Sequence, residues 1–290
     1  MDTVRLEHTC ADGSKLSAIY TPSHGMNLLS YQKNGIEIID QNTKPLFEER
    51  YAGLGALIGP HFHRRKDEVI PPLKDESLFP HIAGVKAKGV KEPFSHGIAR
   101  YAPWKCTHNT SSLEASLNGS DEWKGIPVSE LEGQGFNILY TANLNDHGLH
   151  VDYSIVSDSA SVLGFHYYYA LPKGKGVVRF ENVRSDFRDA DGNKEIPNEW
   201  KDGNALNFTL DKEADYGFYP SSEPIQGEIQ LDAIEYKLKI NYSTTSQENS
   251  WQLYHPKGET FVCIEPLTAQ NPRKPILSVS ALKLNLRIEC

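Results

Sequence analysis

Hydrophobic and polar residues alternate one by one along most of the chain, the spacing of β-strands that bury a single face. In Leu149-His150-Val151-Asp152-Tyr153-Ser154-Ile155 every second residue is apolar, and Tyr236–Tyr242 and Leu282–Glu289 repeat the pattern. Further strands are predicted at Lys15–Tyr20, Ile36–Ile39, Phe136–Thr141, Val162–Leu171, Val177–Val183 and Thr260–Glu265. Turn formers such as Asp12-Gly13, Asn34-Gly35, Asn118-Gly119, Lys173-Gly174 and Lys257-Gly258 fall between the runs. Helical spacing is confined to short stretches at Ser129–Glu132 and Asn198–Lys201, each long enough for one turn. The segment Phe47–Lys91, rich in Pro, Gly, Lys and Glu, reads as a long irregular loop, where function often concentrates. Many short strands separated by turns predict an all-β fold, a large antiparallel β-sandwich. With no linker, repeat or low-complexity tract, residues 1–290 read as a single domain.

Composition narrows the partners. The chain has 290 residues, 39% hydrophobic and 23% charged, enough to build a sizeable core. Its 38 acidic residues outweigh 30 basic ones, and a net charge of −8 argues against a nucleic-acid partner. Cys10, Cys106, Cys263 and Cys290 stand far apart without CxxC spacing, as reduced thiols do, and suggest neither a disulfide framework nor a zinc site. No signal-peptide pattern opens the sequence and no apolar run approaches the roughly 18 residues of a membrane span. A cytoplasmic protein, monomeric or weakly dimeric, is the expectation.

The chemistry concentrates in a few segments. In Phe261-Val262-Cys263-Ile264-Glu265-Pro266 a single carboxylate ends an apolar strand, and Pro266, which has no N–H to donate, is expected to stop that strand at the sheet's rim. A partly desolvated carboxylate there suits a general base, or an edge ion pair. In Gly164-Phe165-His166-Tyr167-Tyr168-Tyr169-Ala170, His166 shares a face with Gly164, Tyr168 and Ala170, so a ligand can approach; a hydrogen-bonded core histidine is the plainer reading. In Ser95–Trp104, His96 and Arg100 can donate to hydroxyl groups and Trp104 can form an apolar wall. His61-Phe62-His63 would put two imidazoles on one face of a strand, but no third ligand follows, so no metal is assigned. The adjacent Arg64-Arg65-Lys66 run can hold an anion or form a solvated face. Asp189-Ala190-Asp191-Gly192-Asn193 has the wrong glycine spacing for a calcium loop and reads as a hairpin turn.

Taken together, HGIARYAPW (residues 96–104), GFHYYYALP (164–172) and FVCIEP (261–266) resemble, in order, the signature segments of the galactose mutarotase-like superfamily, which includes the aldose 1-epimerases and the hexose-6-phosphate 1-epimerases. A weaker likeness lies in Glu213-Ala214-Asp215-Tyr216-Gly217-Phe218-Tyr219. The resemblance implies a supersandwich without cofactor or metal that interconverts the anomers of a sugar. It also implies Glu265 as general base, His166 as general acid, His96 and Arg100 orienting the sugar, and Asp215 binding a hydroxyl. A phosphorylated sugar would need a cationic rim, for which Arg64, Arg65 and Lys66, or Lys173 and Lys175, are candidates. A carbohydrate-binding module on the same sandwich is the non-catalytic alternative.

Overall fold

The computed structural model describes residues 2–63, 70–181, 183–220 and 225–289. Among them, two large antiparallel sheets, of 11 and 10 strands, carry the fold. The ten-stranded sheet holds the most regular alternation. Phe136–Asn145, Gly148–Ser157 and Val279–Glu289 bury every second side chain and pair in long uninterrupted ladders. One face meets the core and the other meets water, as alternation demands.

The 11-stranded sheet is different at its centre. Gly55–Ile58, Gly164–Ala170 and Phe261–Leu267 are buried on both faces almost throughout. Phe165, Tyr167, Val262 and Ile264 point into the core between the sheets. His166, Tyr168, Cys263 and Glu265 point the opposite way, toward a cover built by residues 41–63 and 70–104. That cover is less irregular than its composition suggests. It contains the helices Lys44–Arg50 and His81–Ala87, whose buried Phe47, Ile82 and Val85 supply the apolar anchors. The short helices expected near Ser129 and Asn198 are present as Val128–Glu132 and Asn198–Trp200.

Two expectations need correction. The strand carrying Glu265 does not stop at Pro266 but runs on to Leu267, between two neighbours rather than at a rim. Pairing to Gly164–Ala170 is bonded at Gly164↔Leu267 and resumes at Tyr167↔Ile264. The missing proline N–H is absorbed as a two-position gap in that ladder, and the register places His166 opposite Glu265 within it. Trp104 does not wall a ligand site. It lies in the inter-sheet core, its indole N–H donating to the Ala99 carbonyl at 3.0 Å and its ring against Tyr140 and Tyr153. A large ring with one polar handle is well placed there, because the core supplies contact area and the turn supplies an acceptor.

Candidate active site

One row of side chains crosses the covered face of the 11-stranded sheet. The register aligns Ala56 with His166, Gln252 with Glu265, Gly217 with Gln252, and Arg188 with Gly217. A second row beside it aligns Tyr168, Cys263, Tyr254 and Asp215. These rows floor a pocket of about 610 Å³ whose walls include Arg50, Phe62, His63, Lys88, His96 and Arg100. His166, His96, Arg100, Asp215 and Glu265, all singled out in the sequence, therefore meet in one cavity. Arg64 lies outside the described residues. Lys173 sits in the turn after the His166 strand, and neither it nor Lys175 lines the pocket.

At the centre, His166 Nε2 stands 3.3 Å from Glu265 Oε1, with both side chains almost wholly buried. Burial disfavours charge on each. It pushes the Glu265 carboxyl up to about 8, a rise opposed by Arg100 and reinforced by Asp215. Burial, and then the Arg100 guanidinium, holds His166 well below the usual histidine range. The pair therefore keeps one exchangeable proton through neutral pH. His166 Nδ1 and Arg100 Nη2 are buried without a hydrogen-bond partner among the described residues, while Arg100 Nε donates to the Leu57 carbonyl at 3.0 Å. Tyr168 stacks on His166 at 5.0 Å, and Tyr254, two strands away in the second row, is 37% exposed and offers a ring suited to an apolar ligand surface.

The turn that delivers His96 and Arg100 is held from beneath. Gly59 N–H donates to the His96 carbonyl and His96 N–H to the Phe62 carbonyl. Ile98 N–H donates to Glu132, whose other oxygen meets His61. His61 is clasped between Glu132 and Glu92, and although burial opposes its charge, the two carboxylates prevail and keep it protonated up to about 9. His63 reaches the same Glu92 at 4.0 Å and packs against His96, ring centroids 4.5 Å apart.

Gly97 makes this close packing possible. Its φ is 91° and ψ 156°, a region open essentially to glycine, and a Cβ there would lie 2.0 Å from the Gly59 carbonyl oxygen. Gly97→Ala is expected to lower stability by at least ~1–3 kcal/mol from backbone strain alone and to weaken ligand binding in the pocket. Chemical denaturation and ligand titration check this. An alanine variant with unchanged stability and binding would show that the turn is not fixed by this contact.

Sequence reading missed Arg188, Gln252 and Tyr254. Gln252 and Tyr254 alternate with Trp251 and Leu253 along Ser250–His255, a signal of strand facing but not of pocket lining. The hairpin at Asp189–Gly192 is present as expected, and Asp189 and Ala190 form part of the rim.

Comparison with solved structures places this architecture. The fold is that of the galactose mutarotase-like proteins, and it extends over the whole chain. A galactose mutarotase-like protein from Lactobacillus casei aligns over 99% of this chain and 100% of its own, with a TM-score of 0.68 and 16% identity. A galactose mutarotase related enzyme from Lactobacillus acidophilus covers 100% of both chains, with a TM-score of 0.66 and 14% identity. An aldose epimerase homologue from C. elegans covers 98% of this chain and 99% of its own, with a TM-score of 0.65 and 14% identity. No family model matches the sequence, and no curated protein matches it. Among the described residues no helix is long and apolar enough to cross a membrane.

Proposed function

We propose that the protein is an aldose 1-epimerase, converting the α and β anomers of an aldose into one another by opening and reclosing the ring. The observation that carries this reading is the 3.3 Å contact between His166 and Glu265 on the floor of a pocket rimmed by hydroxyl-binding groups. Anomer exchange needs one acid and one base acting on two oxygens bonded to the same carbon, so a touching acid–base pair suits it. Transfer of the shared proton from Glu265 to His166 across this contact sets up the reacting form, in which the Glu265 carboxylate takes the proton from the O1 hydroxyl while His166 protonates the ring oxygen O5. The C1–O5 bond breaks and C1 becomes an aldehyde. Rotation about C1–C2 presents the other face, O5 attacks C1 as His166 recovers its proton, and Glu265 returns a proton to O1. Both groups end as they began. Arg100, His96 and Asp215 orient the hydroxyls, and Tyr168 and Tyr254 cover the ring's apolar face.

The pair's charge state gives the pH dependence a definite sign. The active form carries one proton shared between the two groups, so activity falls when that proton leaves or when a second one is added. The raised carboxyl of Glu265 keeps the proton until about pH 8, and the depressed His166 accepts a second only well below its ordinary value. Polarimetric relaxation of a freshly dissolved anomer, followed across a pH series, is therefore expected to give a kcat/KM that is level through neutral pH and declines above about 8. A kcat/KM that climbs between neutral pH and that value would contradict a shared proton.

A further inference from the structure

We infer that Arg188, which nothing in the sequence pattern singled out, is a specificity-determining residue that binds an anionic group carried by the sugar at the end remote from C1; this rests on the epimerase reading of the same pocket. Arg188 ends the row that begins at His166. Its strand, Val183–Asp189, shifts register between Val183 and Phe187, and pairing is restored with Arg188 opposite Gly217. The absence of a side chain at position 217 then matters. A Cβ on Gly217 would lie 3.0 Å from Arg188 Nη2 and 2.8 Å from Gln252 Nε2, so the glycine leaves the space over which both side chains fold onto the sheet.

The guanidinium held there is half-buried, and its hydrogen-bond partner is a neutral one, Gln252 Oε1 at 3.4 Å. Neighbouring charges are already matched: Arg184 with Asp186, and Lys194 with Asp189 and Asp191. Among the described residues no carboxylate lies within ion-pair distance of Arg188. A guanidinium presented to a pocket without an acidic partner favours a planar or tetrahedral oxyanion, which it can bind through a two-pronged contact. The setting agrees in charge. Arg50, Lys88, Arg100 and Arg273 also line the pocket, opposed by the carboxyl groups of Asp215, Glu265 and Asp189, the last already paired with Lys194, so cations outnumber anions here inside a chain of net charge −8. The reach agrees as well. The guanidinium lies over the Gly217 and Gln252 strands, within about 10 Å, two strand spacings, of the Glu265 strand. A six-carbon aldose with its anomeric end at Glu265 would extend its far substituent toward Arg188.

Carboxylate and phosphate share this chemistry, and the substrates tested separate them. Isothermal titration with D-glucose, D-glucuronate and D-glucose 6-phosphate, alongside anomer-exchange rates, would be run on the wild type and on Arg188→Ala, Arg188→Lys and Gly217→Ala. The wild type is expected to prefer at least one anionic sugar to glucose, and which one identifies the oxyanion. Arg188→Ala should weaken that sugar by about 10- to 100-fold through KM, with kcat and glucose binding unchanged. Arg188→Lys should recover part of the loss, since it keeps the charge but not the fork. Gly217→Ala, whose backbone tolerates alanine, should reproduce the loss by displacing the guanidinium. Equal affinity for neutral and anionic sugars, or an equal loss on both in Arg188→Ala, would overturn the assignment. An Arg188-dependent preference without any catalysed exchange would leave the anion subsite standing and remove the epimerase reading instead.

Discussion

Replacing Glu265 with glutamine is expected to slow anomer exchange by about 10²–10⁴-fold in kcat, the usual worth of a positioned proton-transfer group, while the fold stays intact. The argument for an intact fold is electrostatic. Burial keeps the Glu265 carboxyl neutral until about pH 8, so at pH 7 the amide replaces a neutral group of the same shape and the buried site gains no charge. Glutamine keeps the shape of the group that faces His166, but it can neither accept nor release a proton. The effect therefore belongs in kcat, with a thermal transition close to wild type as the control. Full activity in Glu265→Gln would move the base to another group in the pocket. A large fall in stability would show that the carboxylate is a structural partner of Arg100 before it is anything else.

The second large effect is expected on stability. Trp251→Ala should destabilise the protein by about 3–5 kcal/mol, the range for truncating a buried aromatic. Trp251 is fully buried, stacks on Phe218 at 4.4 Å, and meets the edge of Phe180 from the opposite sheet at 4.7 Å. It thus joins the two sheets directly behind Gln252, and the cavity left by alanine has backbone ladders on both sides that limit collapse. For a chain of this size that loss lowers Tm by roughly 6–20 °C. Leu139→Ala offers the comparison. At 58% exposed on the outer face of the ten-stranded sheet, it should change stability by no more than about 0.5 kcal/mol. A Trp251→Ala variant as stable as Leu139→Ala would mean that the sheets are not held together at this cluster.

The parts of this structure that local pattern can specify were visible in the sequence. Leu149–Ile155 and Leu282–Glu289 alternate because one face is wet, and their strands follow that alternation. The central strands were recognisable by composition, but their facing was harder to read because the cover makes both sides apolar. Pro266 misled because proline usually ends a ladder, whereas here one neighbour simply forgoes the bond. Trp104 misled because an aromatic near His96 suits a sugar wall equally well before the direction of the chain is known. The helices of the cover, each seven residues, are too short to impose a period against their glycines and prolines. The row from His166 through Glu265, Gln252 and Gly217 to Arg188 was out of reach for a different reason. It is written in the register of strands far apart in sequence, which no local spacing encodes.

The most direct test of the central claim is magnetisation-transfer NMR between the α and β anomeric signals of glucose, galactose and glucose 6-phosphate, with wild-type protein and Glu265→Gln side by side. Exchange accelerated by the wild type for at least one sugar, and returned to the buffer rate by Glu265→Gln, is the predicted result. Sugar binding without acceleration of any exchange would contradict it and leave a carbohydrate-binding protein on the mutarotase fold.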